Sequence, residues 1–258
     1  MFRFIFLVTL ALLENSAWGA PQSARNGTDL DGRIVGGTDT TIEAHPYIVS
    51  LREYDSHVCG GSIISSTWIL TAAHCLEGPV SIYSIQAGST VRNSGGQVIA
   101  ISRVIIHENF SWITIDFDVA LVQLASPITI AVARAITMAP EGGPPAAGVT
   151  AVVTGWGHIA EGGPAATVLQ VVQVPIISQA NCRIAYGENS ITDRMFCAAV
   201  LGVGGRDACQ FDSGGPLLAN GVLTGIVSWG IGCARPNFPG VYASVPSLRA
   251  WIRTNSGI

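Results

Sequence analysis

The stretch GGRDACQFDSGGPLL, Gly204 to Leu218, sets a serine between an aspartate and a pair of glycines. Glycine permits positive φ and close approach of other backbone. A serine in such a bend can project its hydroxyl while neighbouring N–H groups converge on one point, which is an oxyanion hole in outline. Read alone, the stretch is equally a polar glycine-rich turn. A serine becomes a nucleophile only beside a base, and the base needs an acceptor to hold its tautomer. Two other stretches supply candidates. TAAHC, Thr71 to Cys75, offers His74, and DFDVALVQL offers Asp118 immediately before an apolar run. Each has an ordinary alternative, a structural histidine and a strand-capping aspartate. A buried aspartate costs several kcal/mol unless a donor meets it, and an imidazole N–H is the donor that would make it functional. Together they form a His74, Asp118, Ser213 set.

Around these stretches lie short apolar segments separated by turn residues: SIYSIQAG, QVIAISRVIIH, DVALVQL, GVTAVVTGWG, VLQVVQVPI, GVLTGIVSWG and GVYASV. Thirty glycines and 13 prolines are spread along the chain, which suits many short strands. The spacing predicts an all-β antiparallel sandwich or barrel. In VPSLRAWIRTNSGI, Leu248, Trp251 and Ile252 fall at helical spacing and Pro246 suits a first turn, so one amphipathic C-terminal helix is expected.

Net charge is −4 and no basic block occurs, which argues against a nucleic-acid partner. Arg3, the apolar run Phe4 to Leu13 and the small residues Ala17 and Gly19 have the order of a secretory signal cleaved after Gly19. The run is too short to span a bilayer, so residues 1–19 are expected to be a signal peptide, with no membrane association and secretion to the extracellular space. Residues 20–33 are polar and read as a propeptide. The even count of cysteines, Cys59, Cys75, Cys182, Cys197, Cys209 and Cys233, implies disulfides in a secreted chain. No CxxC pair suggests metal binding. Asn26 and Asn109 lie in glycosylation sequons.

RIVGG, CGGSII, WILTAAHC, DVAL, GWG, DACQ and DSGGP, SWGIGC and PGVY occur in order from Arg33 to the last helix. This series resembles the chymotrypsin/trypsin family of serine endopeptidases, and most of all the invertebrate, insect-type trypsins. The resemblance implies two six-stranded antiparallel β-barrels with the active site between them, formed by residues 34–258. It assigns catalysis to His74, Asp118 and Ser213, and not to His57 in SHVCGG. It implies the pairings Cys59–Cys75, Cys182–Cys197 and Cys209–Cys233. Asp207 would sit at the base of the substrate pocket and select Arg or Lys, with Gly230 and Gly240 leaving the walls open. Cleavage after Arg33 by a trypsin-like protease, this one included, would free the amino group of Ile34 to pair with Asp212. The expected partners are protein or peptide substrates and protein protease inhibitors, and the expected state is a monomer. No cofactor or metal is expected, since the calcium loop of the family needs clustered carboxylates and GSTVRNSGGQV has none. Pro239 is similar to relatives without a sodium site. No regulatory domain is read before Arg33, which favours a simple effector enzyme.

Phe211 departs from the pattern, because relatives carry glycine there and use its N–H as an oxyanion donor beside that of Ser213. Either the peptide turns its donor away, or the backbone holds and the ring obstructs the leaving-group side; the intact triad favours the second. A non-catalytic binding or decoy homologue is the alternative function.

Overall fold

The protein is described from a computed structural model, and the structure describes residues 34–258. The signal and propeptide readings, with Arg33 and Asn26, lie outside the described residues.

Six strands form a closed antiparallel barrel. They are β2 (Ile48–Glu53), β3 (Ser56–Ile63), β4 (Trp68–Thr71), β5 (Tyr83–Ala87), β6 (Gln97–Ile106) and β7 (Ala120–Leu124), in the order β2-β3-β4-β7-β6-β5. Closure leaves no exposed edge. Ile48, Leu51, Ile69, Leu70, Ile85 and Leu121 are fully buried inside it.

The second half is a seven-stranded sheet. It contains β1 (Thr38–Asp39), β8 (Thr150–Gly155), β9 (Gln170–Pro175), β10 (Met195–Ala198), β11 (Pro216–Ala219), β12 (Val222–Trp229) and β13 (Gly240–Ser244), in the order β1-β9-β8-β11-β12-β13-β10. It curls until β10 returns to the end of β9, and they meet only through the single bridge Ile176–Ala198. This half is therefore a barrel that is nearly, not fully, closed, with β1 added outside β9. Ile34 is fully buried in this half, in one apolar cluster with Val153, Val172 and Phe196.

Two α-helices complete the described residues. The expected C-terminal helix is α2 (Val245–Ser256), with Ser244 as N-cap, Pro246 in the first turn and left-handed Gly257 ending it. Leu248 and Ile252 are buried, while Trp251 is half-buried. A second helix, α1 (Gln179–Tyr186), was not anticipated, although Ser178 caps it and Gly187 stops it. The cysteines pair as the resemblance implies: Cys59–Cys75, Cys182–Cys197 and Cys209–Cys233.

Candidate active site

Strand ends deliver the three catalytic candidates. After β4, the one-turn helix Ala73–Cys75 carries His74. Asp118 lies just ahead of β7, and Ser213 just ahead of β11. Two bonds lock these ends together: Thr71 Oγ1 donates to the Gly60 carbonyl at 2.8 Å, and Gly60 N–H donates to the Ser213 carbonyl at 2.8 Å. Gly60 has no room for a side chain, because a Cβ there would strike the backbone of Gly215.

Asp118 is buried and fully engaged. Its Oδ2 accepts from His74 Nδ1 at 2.7 Å and from Ser228 Oγ at 2.5 Å, and its Oδ1 accepts from the His74 backbone N–H at 3.0 Å. These bonds fix the histidine tautomer with the proton on Nδ1, which leaves Nε2 free to act as a base. Nε2 lies 3.9 Å from Cys75 Sγ and makes no hydrogen bond to Ser213. Catalytic hydrogen bonds of this kind often tighten only when substrate is bound.

A cavity of about 220 Å³ opens beside Ser213 and ends on Asp207. Gly230, Gly240, Ala208 and Trp229 also line it. Asp207 is 4% exposed. Its Oδ2 accepts from Ala234 N–H at 3.0 Å, and its Oδ1 is buried without a hydrogen-bond partner. Burial pushes its pKa up to about 7, and the nearby Asp212 adds to the rise. A Cβ on Gly240 would collide with this carboxylate, which explains the small residue at that wall.

Asp212 is fully buried. Gly157 N–H donates to its Oδ1 at 2.8 Å and Cys209 N–H to its Oδ2 at 3.0 Å. Burial pushes its pKa up to about 7 despite these two donors. The glycines Gly155 and Gly157 leave the space its side chain fills.

Phe211 keeps the turn by adopting a left-handed conformation, φ +73°, at a cost of about 1–2 kcal/mol for a residue with a side chain. Two bonds hold it there. His57 Nε2 donates to the Phe211 carbonyl at 3.0 Å, and His158 N–H donates to the Gln210 carbonyl at 2.9 Å. Because a trans peptide sets its N–H opposite its C=O, the Phe211 N–H is directed away from His158. The ring is 38% exposed, 5.1 Å from the His158 ring and 6.4 Å from the His57 ring. It does not line the cavity above Asp207.

His57 was passed over in the sequence as the histidine that is not catalytic. It is the buried post on which the Phe211 carbonyl hangs. Its Nε2 must carry the proton it gives to a carbonyl, so Nδ1 accepts from Ser50 Oγ, 2.7 Å away. Burial pushes its pKa down to about 4. SHVCGG carries no local signal of this role, since Ser50 is on β2 and Phe211 lies 154 residues away. Asn109 is exposed in the turn after β6.

The family model described as "Trypsin" matches residues 34–252. The chain is 44% identical over 258 residues to "Trypsin Blo t 3" of Blomia tropicalis, covering 96% of this chain and 97% of that protein. It is 47% identical over 232 residues to "Trypsin delta" of Drosophila erecta, covering 88% of this chain and 90% of that protein. Identity is also 47% over 232 residues to "Trypsin" of Sarcophaga bullata, covering 87% and 89%.

The His57 arrangement sets a pH dependence. Its folded pKa of about 4 lies below the ordinary 6.5, so the unfolded chain binds more protons between those values. Its contribution is complete above the upper value and is lost as pH falls to the lower one, amounting to about 3 kcal/mol. Relative to a His57→Gln variant, the wild-type chain is expected to lose that much unfolding free energy across the window in urea titrations. A difference that does not change with pH would show that the ring is not held neutral.

Proposed function

This chain belongs to the trypsin family of serine endopeptidases, and from that premise we propose that it is a secreted zymogen whose active form cleaves peptide bonds after Arg or Lys. The observation that carries the specificity is the buried Asp207 carboxylate with one unpartnered oxygen at the end of the cavity beside Ser213. A long cationic side chain would supply the missing partner, and a guanidinium can do so with two parallel hydrogen bonds.

The steps are those established for the family's triad, applied residue by residue. Ser213 Oγ attacks the scissile carbonyl carbon while His74 Nε2 takes its proton. Asp118 holds the Nδ1 proton and stabilises the imidazolium. The resulting oxyanion lodges against the N–H groups of Phe211 and Ser213. His74 then protonates the leaving amine, and the acyl group stays on Ser213 until a water, activated in the same way, releases it. Residues 1–19 are read as the signal peptide, 20–33 as the propeptide and 34–258 as the protease domain. Asn26 and Asn109 are read as glycan acceptors, and protein inhibitors as partners of the cleft.

A second reading, a non-catalytic binding homologue, draws on Phe211. Fluorophosphonate labelling of the activated protein separates the two, because a decoy serine does not react. For the leading reading, kcat/KM is measured on matched Arg, Lys, Phe and Leu substrates. Arg and Lys are expected to lead. Asp207→Ser should remove most of that preference, since the cation loses its buried counter-charge. An unchanged preference would place the selecting acid elsewhere.

Activation rests on Arg33. An Arg33→Gln chain is expected to accumulate as a stable precursor without activity, and full activity in the unprocessed variant would refute the zymogen reading.

Phe211 is read as an obstacle to bulky leaving groups and not as a lost oxyanion donor. Phe211→Gly should therefore tighten binding of protein inhibitors far more than it raises kcat on a small arginine ester. A gain of about 10²-fold in kcat, the scale of one oxyanion donor, with no larger gain in inhibitor affinity, would show that the N–H had been misdirected.

A further inference from the structure

Asp118 follows a stretch of backbone that its own residues disfavour. Ile115 and Phe117 take φ of +52° and +55°, a left-handed conformation that residues with a side chain disfavour. Strain of this kind persists only where surrounding contacts dictate it.

At Phe117 those contacts come from distant parts of the chain. Arg194, immediately before β10, grips Asp116 with both prongs of its guanidinium. Nε donates to Asp116 Oδ1 at 3.0 Å and Nη2 to Oδ2 at 2.6 Å. Thr192 Oγ1 donates to the same Oδ1 at 2.9 Å, and so does the Phe117 backbone N–H, also at 2.9 Å. The Arg194 guanidinium carbon stands 4.5 Å from the centre of the Phe117 ring, within cation–π range. The His107 ring also lies 4.5 Å from the Phe117 ring and is itself stacked on Trp251 of α2 at 4.8 Å. Phe117 is thus held by contacts with Arg194 and His107, and the next residue is Asp118. The bonds from His74 and Ser228 hold the Asp118 carboxylate but not the peptide before it.

We propose that Arg194 is a positioning residue for catalysis. By fixing Asp116 and Phe117 it sets the direction from which Asp118 presents its carboxylate to His74. The inference rests on the reading of Asp118 as the acid of the triad. It assigns to a cation of the second half of the chain a part in aligning a residue of the first barrel. The ion pair is needed for geometry, not for charge: Arg194 touches Asp116 and the Phe117 ring, and no contact to Asp118 or His74 is made.

The test measures kcat and KM on a small arginine ester, with active sites counted by fluorophosphonate titration so that misfolded protein is excluded. Arg194→Met keeps the apolar stem and removes the fork. It is expected to lower kcat per active site about tenfold or more while KM stays within about twofold. Arg194→Lys should recover only part of the loss, because a single ammonium cannot reproduce two parallel bonds to Asp116. Adding Phe117→Asn to Arg194→Met should recover most of it, because asparagine tolerates the left-handed conformation that phenylalanine resists. An unchanged kcat in Arg194→Met, whatever its melting temperature, overturns the inference, as does a loss that Phe117→Asn does not recover. If Arg194→Met does not fold, Arg194→Lys decides: a kcat equal to wild type overturns the inference. Asp118→Asn is the separate control. If it retains wild-type kcat, the triad reading has failed, and not the inference about Arg194 alone.

Discussion

The Asp212 carboxylate, fully buried, is the constraint around which the second half of the site is arranged. Among the described residues, two backbone N–H groups reach it, from Gly157 and Cys209, and burial pushes its pKa up to about 7. A charge taken out of water must find a cation or a proton. The turn that carries it also carries Phe211 and Ser213, while Asp207 and Cys209 lie directly before it. Whatever neutralises Asp212 therefore acts on the proposed oxyanion turn and the proposed pocket base together. The proposed amino group of Ile34 would do this after cleavage. The side chain of Ile34 lies in the buried apolar cluster of this half.

The first barrel contributes rigidity of a different kind. Its six strands pair in a closed ring, and His74 and Asp118 sit where β4 ends and β7 begins. Neighbouring strand ends are held at fixed spacing by their ladder, since Thr71 pairs with Ala120. Gly60 on β3 then clasps the serine turn through a single N–H bond. The proposed reacting groups are thus carried by strand ends whose positions are set far from the cleft, and short turns intervene.

Much of this was readable in the residues. The seven segments picked out by apolar spacing all contain strands of the structure, and the cysteine pairs follow the family resemblance. The strands that escaped are β1, β2, β3, β4, β10 and β11, and no single cause covers them. β2, β10 and β11 are buried along nearly their whole length and show no alternation, while β3 contains Gly60 and Gly61, which lower strand preference. Those glycines answer to neighbours such as Gly215 and Ile69, and a linear reading cannot see them. The same limit hid His57 and Arg194. Their partners, Phe211 and Asp116, lie 154 and 78 residues away in sequence, and no local pattern marks either pair. What the sequence did flag was Phe211, because it breaks a motif, but which of its two consequences holds depends on bonds from His57 and His158.

Seen together, Phe117 and Phe211 solve one problem twice. Each immediately precedes a buried aspartate, Asp118 in one case and Asp212 in the other. Each takes a left-handed conformation that a bulky residue resists, φ +55° and +73°. In each case a group from elsewhere in the chain supplies the restraint: Arg194 and His107 at Phe117, His57 at Phe211. The local cost is of the same order at both, about 1–2 kcal/mol, small beside the cost of a misdirected carboxylate in an apolar interior. The two restraints differ in chemistry. Arg194 acts through a forked pair of hydrogen bonds to Asp116 and a ring face at a half-buried position, whereas His57 acts as a neutral donor to a carbonyl inside the protein. Acidity bears on both, through different groups. Protonation of His57 would place an imidazolium in a buried site beside the proposed oxyanion turn. At Phe117 the guanidinium keeps its charge, but two groups beside it titrate in acid. One is the His107 ring, its pKa lowered chiefly by burial. The other is the Asp116 carboxylate, where the effect of burial is outweighed by the donors from Arg194 and Thr192, so that its pKa is lowered. Neither restraint is therefore independent of pH: one is disturbed when a buried neutral ring gains a charge, the other when a gripped carboxylate loses one.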